Sequence, residues 1–436
     1  MKRVLIISYY WPPTGGSGVQ RWVKFSKYLP EFGWQPVIYT PSNPERLAID
    51  ESLSRDIPKE VEIVTSPILE PYDLYRKFTG KKKGKGSDIN PINNTGKKSL
   101  SEKISLWARA NLFIPDPRIT WLKPSIKFLE SYLKEHPVDA IVSTGPPQSM
   151  HLLAKELHRK TGIRWIADFR DPWTGIFYFK HLPMLNIVRK KHFSMEKSVV
   201  TEADKVVLVS KRVFNEFQEA YPEANLEYIP NGYDEDDFDL EASSLDKEFS
   251  IVHTGLFSKE GNPEKLWSAL ASLIKEYPGF SENLKIKLVG KTDKEIIESL
   301  EKYGLSEYVQ NLGYIPHSEL GAIQTSARLL ILPLRREPEY TATLPGKFFE
   351  YMAASRPIIG IGPLECELSS MFDQTKCGKM FEWDKEAPIK EEILGLFKKY
   401  QDDDKSPSNC VNKEKYSRRV LTNDMVNLLT KANDEN

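Results

Sequence analysis

The chain has 436 residues, 40% of them hydrophobic, and its 61 Lys and Arg balance 61 Asp and Glu. That length exceeds one ordinary doubly wound domain and predicts two, while zero net charge excludes a general attraction to nucleic acid. Cys366, Cys377 and Cys410 have no metal-like spacing and argue against an extracellular disulfide framework. No apolar run approaches the ~18 residues of a membrane span, and the run after Lys2-Arg3 lacks a signal peptide's length and cleavage site. A cytoplasmic protein is expected.

Residues 4–8 predict an apolar strand, followed by Gly15, Gly16 and Gly18 in one loop, a helix over 19–29 and a strand at 37–39. This order opens a parallel α/β domain. A further strand is expected at 61–66. Residues 76–100 hold Lys81, Lys82, Lys83 and Lys85 and then a polar tract, which predicts a flexible insertion. Helices follow at 104–113 and 121–132, then strands at 140–143, 163–168, 205–209 and 226–229. A second alternation starts at 249–253, with strands at 286–289, 309–313, 329–333, 358–361 and 378–380. The expected domains are 1–240 and 241–415, with a C-terminal helix in 416–436 packing back on the first. The expected class is α/β, two Rossmann-like parallel sheets facing across a cleft at the carboxyl ends of their strands, where open sheets bind ligands.

The segment Leu344-Pro345-Gly346-Lys347-Phe348-Phe349-Glu350 carries the most chemistry. Pro345 suits the first helical turn, where its missing N–H would be unpaired anyway. Free N–H groups there and the Lys347 ammonium suit a phosphate. Glu350, set among aromatic residues, needs water or a ligand to accept from. Arg356-Pro357 closes the helix. Thr343 and Leu344, and Glu337, Glu339, Tyr340 and Thr341 before them, are placed on the same side.

Other strand-end loops carry candidates with two readings each. Gly15, Gly16 and Gly18 form either a tight turn or a loop whose N–H groups approach a diphosphate or sugar, with Gln20 and Arg21 as acceptor contacts. Asp168-Phe169-Arg170-Asp171-Pro172-Trp173 offers a proton acceptor in Asp171 and a phosphate ligand in Arg170, or else an internal ion pair. Trp173 is a sugar-stacking wall or a packed turn. Thr144 and Gly145 approach substrate, whereas His151 has no partner at zinc spacing. Gly255 with Lys259, Gly290 and Tyr314 follow later strands as diphosphate or base contacts, with ordinary turns and solvated charges as the plain alternative.

Taken together, these motifs resemble a family 4-type glycosyltransferase of the two-domain GT-B fold. The resemblance rests on Tyr10-Trp11-Pro12-Pro13-Thr14-Gly15-Gly16, the Asp168 to Trp173 motif, Ile229-Pro230-Asn231-Gly232-Tyr233-Asp234 and the 344–357 segment. It implies a C-terminal domain that binds a UDP- or GDP-linked sugar, an N-terminal domain that binds a glycan or lipid-linked acceptor, retention of configuration, and no metal. Glu350 matches the second glutamate of the family's Glu-x7-Glu motif, which is expected on the ribose. The first falls at Ala342, so the sugar is not specified and Glu337 or Glu339 is a substitute. Leu256 stands near the family's arginine, leaving Lys259, Lys347 or Arg170 to neutralise the diphosphate. The family's histidine role is not carried to His151. The expected reaction is front-face transfer assisted by the leaving phosphate, with Asp171 orienting the acceptor or stabilising positive charge. The resemblance is to cell-surface polysaccharide assembly. The rivals are a nucleotide-sugar 2-epimerase and a silent glycan-binding protein. Lys81, Lys82, Lys83 and Lys85 suggest peripheral contact with an anionic membrane.

Overall fold

The computed structural model describes residues 1–46, 49–70, 100–176, 178–240, 244–342 and 344–430. The insertion expected at 76–100, including its four lysines, lies outside them up to residue 99, as does Thr343. The chain divides into two compact units, Met1–Pro230 with Leu421–Asn436, and Asn231–Val420.

The first unit is a seven-stranded parallel sheet in the order β3-β2-β1-β4-β5-β6-β7. Its strands are β1 Lys2–Ile7, β2 Trp34–Pro41, β3 Glu62–Ser66, β4 Ala140–Gly145, β5 Arg164–Phe169, β6 Lys205–Leu208 and β7 Leu226–Tyr228. The central strands β4 and β5 are buried at nearly every position, as in a sheet covered on both faces. Edge strand β3 instead alternates, with Ile63 half-exposed. β2 is longer than the expected 37–39 because Trp34, Gln35 and Pro36 also pair with β1, despite the donor that proline lacks. Leu421, Met425 and Leu429 of the last helix, Arg418–Leu429, pack into the core made by Val4, Ile6, Trp22, Ile38 and Val142. Arg164 Nε donates to the Leu428 carbonyl at 2.8 Å.

The second unit is a six-stranded parallel sheet in the order β10-β9-β8-β11-β12-β13. The strands are β8 Phe249–Thr254, β9 Leu284–Val289, β10 Val309–Gly313, β11 Leu329–Pro333, β12 Ile358–Ile361 and β13 Gly378–Phe381. Side-chain alternation divides its apolar residues between two faces. Ile251, Leu329, Ile331 and Ile359 meet Trp267, Leu270 and Phe397 on one. Val252, Leu330, Leu332 and Ile358 meet Phe348, Phe349 and Met352 on the other. The latter three place helix Gly346–Ala353 against the sheet, and each buried side chain contributes about 1.5–3 kcal/mol.

Each sheet reverses its winding once, between β1 and β4 and between β8 and β11. At such a point, loops leave neighbouring strands for opposite faces and open a crevice at their carboxyl ends. Cys377 and Cys410 form a disulfide, while Cys366 is free and buried. Among the described residues, no helix is long and apolar enough to cross a membrane.

Candidate functional site

In the second unit, the loops after β8, β9 and β10 meet backbone to backbone. Gly255 N donates to Val289 O at 2.7 Å and Gly290 N to Gly313 O at 2.6 Å. Gly255 and Gly290 have φ of 88° and 107°, a region that L side chains rarely enter. A Cβ on Gly290 would lie 2.5 Å from the Gly255 carbonyl oxygen, so the contact itself requires glycine.

Helix Gly346–Ala353 delivers two charged groups to the end of β8. Lys347 and Glu350, three residues apart, share a helix face. Lys347 Nζ lies 3.2 Å from His253 Nε2 and donates to Leu256 O at 3.5 Å. Burial pushes its pKa down to about 8, against the favourable Glu350 charge. His253 is buried, stacked on Phe257 at 4.1 Å, and desolvation holds it neutral. Its Nε2 therefore accepts from the ammonium.

Glu350 accepts from Gln324 Nε2 at 3.1 Å and lies 3.7 Å from His317 Nε2. Burial alone would raise its carboxyl pKa, but His317, Gln324 and Lys347 outweigh that and hold it below the usual range. Gln324 is fully buried and also donates to Thr254 Oγ1 at 3.1 Å. Tyr351 Oη accepts from Thr254 N at 2.9 Å. One network thus fixes the carboxylate relative to the end of β8. His317 and Gln324 went unrecognised in the sequence, although their seven-residue spacing puts both on one face of helix His317–Ser326.

The other residues expected in this unit are placed differently from one another. Pro345 is the cap before the helix rather than its first residue. Leu344 is buried in the apolar cluster with Phe348, so its side chain serves packing. Lys259 leans to Glu295, 3.6 Å away, while its N–H donates to Asp293. Its ammonium is therefore already partly neutralised. Glu337 is held by Arg335 at 2.7 Å. Tyr314 follows β10 and is 69% exposed. The Glu339 side chain and Thr343 lie outside the described residues.

In the first unit, a buried carboxylate organises the crevice. Asp168 accepts from Trp22 Nε1 at 2.7 Å and Thr144 Oγ1 at 2.9 Å, and pairs with Arg21 at 3.0 Å. Burial opposes its ionisation, yet Arg21 and Trp22 keep its pKa low. Arg21 also donates to the carbonyls of Ile229 and Pro230. Its guanidinium is 1% exposed and ties strand β5 to the loop after β7. Thr144 is 1% exposed, and Trp173, 3% exposed, donates its indole N–H to His192 Nδ1 at 3.0 Å.

Arg170 Nη1 donates to Gly18 O at 2.6 Å and Nη2 to Pro146 O. It therefore clamps the first turn of helix Ser17–Tyr28 to the loop after β4. Gly16 caps helix Ser17–Tyr28 with φ 110° and has open space around its Cα. Asp171 follows Arg170 and is exposed. His151 is buried on Phe169 and pushed down to about 3 by desolvation, so it is neutral.

Two Rossmann-like units, each a parallel sheet, match the GT-B fold. Residues 248–398 match the family described as Glycosyl transferases group 1, and residues 96–237 match Glycosyltransferase Family 4. The chain is a family 4-like glycosyltransferase of the GT-B fold. No curated protein matches it significantly.

Sucrose-phosphate synthase from Thermosynechococcus elongatus is similar in structure, with TM-score 0.61, 14% identity and 98% of each chain covered. Anabaena HepE, solved with UDP-glucose, has TM-score 0.59 and 13% identity over 98% of this chain and 99% of that one. An S. aureus TarM variant, solved with fondaparinux, α-GlcNAc-glycerol and UDP, has TM-score 0.59 and 11% identity over 99% and 100%. At such identities these likenesses carry the fold, and the family matches carry the transferase class.

Proposed function

We propose that the protein transfers a hexosyl group from a UDP- or GDP-linked donor to a hydroxyl of a glycan or lipid-linked glycan, with retention of configuration. The observation that carries this reading is one helical turn presenting Lys347 beside Gly255 and Glu350 beside Gln324 and His317. Lys347 and the helix start neutralise the leaving diphosphate, and Glu350 accepts from the ribose hydroxyls. The anomeric C–O bond breaks with its electrons passing to the phosphate oxygen. The acceptor oxygen bonds on the same face, and its proton goes to that phosphate oxygen. Asp171, beside the clamped Arg170, orients the acceptor or stabilises positive charge on the sugar. UDP-linked donors are the first choice because HepE and TarM were solved with UDP-glucose and UDP.

A donor panel monitored by nucleotide release, with and without a lipid-diphosphate-sugar acceptor, tests the reading. Release is expected only with acceptor present. Glu350→Ala should raise the donor KM about tenfold or more by removing a charged hydrogen-bond acceptor, with an unchanged fold. Wild-type nucleotide affinity in that variant sinks the ribose assignment. Epimerised donor in the absence of acceptor supports the epimerase instead, and glycan binding without turnover on any donor supports a silent binder.

A further inference from the structure

The second sheet has a cavity of about 540 Å³ at the opposite ends of its strands from Gly255 and Lys347. Phe249, Ile358 and Gly378, which begin β8, β12 and β13, line it, as does Arg328, which immediately precedes β11. Phe249, Ile358, Ile359 and Leu396 give it an apolar floor. One wall is the 404–409 segment, held in place by Ser408 N on Ser355 O at 2.9 Å and by the Cys377–Cys410 disulfide.

The lining is strongly one-signed. Among the described residues that line it, Arg328, Arg356, Lys376, Lys379 and Lys399 stand against Glu392 and Asp404, five cations to two anions. Glu392 is taken by Lys379 at 2.5 Å, and Asp404 accepts from Ser406 N at 2.9 Å. Arg328 Nε donates to Asp246 O at 2.9 Å, and its guanidinium lies 5.0 Å from the Tyr400 ring centroid. Arg356 has no such anchor: its Nε is buried without an acceptor. Desolvation and the neighbouring Arg328 charge both lower its pKa, so the protein holds two like charges together at a cost.

We propose that this cavity binds a phosphorylated small molecule of sugar-phosphate or nucleotide size, its phosphoryl group seated between Arg328 and Arg356. A phosphoryl dianion supplies three acceptor oxygens and the charge that two guanidinium forks match. The volume falls within the ~300–1,000 Å³ of small-molecule sites, so inorganic phosphate alone leaves most of it unfilled. An organic body fits against Phe249 and Tyr400. Lysines lining a merely solvated face would not explain a buried, unpaired Arg356 Nε above an apolar floor.

Thermal shifts of the full chain with glucose 6-phosphate, UMP, inorganic phosphate and KCl at matched ionic strength test this. At least one phosphate ester should raise the wild-type Tm beyond the KCl control and more than inorganic phosphate does. Glucose 6-phosphate acting alone identifies a sugar phosphate, and UMP acting alone a nucleotide. Arg356→Gln should melt no lower than wild type without ligand, since it relieves repulsion, and should weaken the effective ester about tenfold or more. Arg356→Lys, which keeps the charge but not the fork, should retain only part of the response. The Lys347→Met, Glu350→Ala double variant should retain the Arg356-dependent part of it, separating this site from the one at the carboxyl ends, which also takes UMP. No ester response in wild type, an undiminished response in Arg356→Gln, or loss of that part in the double variant overturns the proposal.

Discussion

Lys347 illustrates how one residue's surroundings set its chemistry. Its ammonium is partly covered, donates to neutral His253, and titrates near 8 rather than in the ordinary lysine range. A bound diphosphate favours the charged form, so binding raises this pKa. Between the free and bound values the complex holds more protons than the free protein, and affinity must therefore fall as pH rises. Nucleoside diphosphate affinity should be full below about pH 8 and decline above it, by at most about tenfold per pH unit. Calorimetric titration with UDP from pH 7.0 to 9.5 measures this, since phosphate groups with pKa ~6 are about nine-tenths or more ionised there. Lys347→Arg should flatten the profile because guanidinium does not titrate in this range. A wild-type profile equally flat excludes Lys347 as the diphosphate partner.

At the scale of elements, the crevice of the second unit depends on Gly290 lying against Gly255. Gly290→Ala forces a residue with φ 107° and places a Cβ 2.5 Å from backbone oxygen. The conformational strain alone costs about 1–3 kcal/mol, and relieving the clash must move Gly255. A lower Tm together with a raised donor KM is expected. Gly395→Ala is the contrast: inside helix Glu386–Gln401 with open space around it, it should stabilise by about 0.5–1 kcal/mol. Equal melting of the two variants contradicts the argument. The strands themselves were legible because runs such as 329–332 are apolar at every position, the mark of a sheet covered on both faces. The Lys347–Glu350 helix was legible from its apolar neighbours and its start. What holds Glu350 was not, because Gln324 and His317 come from another helix and meet it only in three dimensions. Arg21 and Asp168 are 147 residues apart, and nothing local distinguishes a buried arginine from a surface one. Cys377 and Cys410 likewise show no relation in spacing, only in the fold.

Over the whole molecule, the path of the chain makes its last residues part of its first unit. Leu421, Met425 and Leu429 are each at most 3% exposed and pack among Val4, Trp22, Ile38 and Val142. Burying side chains of this size contributes about 1.5–3 kcal/mol each. Three of them amount to a large share of the ~5–15 kcal/mol that separates a native protein from its unfolded state. Arg164 would also lose its acceptor on Leu428. Ending the chain at Val420 should therefore destabilise the first unit, although that unit's central sheet is complete without those residues. The second unit, Asn231–Val420, keeps its own cores and should persist. Limited proteolysis of the truncated protein should cut within 1–230 while leaving a fragment near 231–420 intact. Cleavage and melting identical to the full chain would show that the returning helix is dispensable, and that the apolar burial around Val4 and Trp22 is sufficient without it.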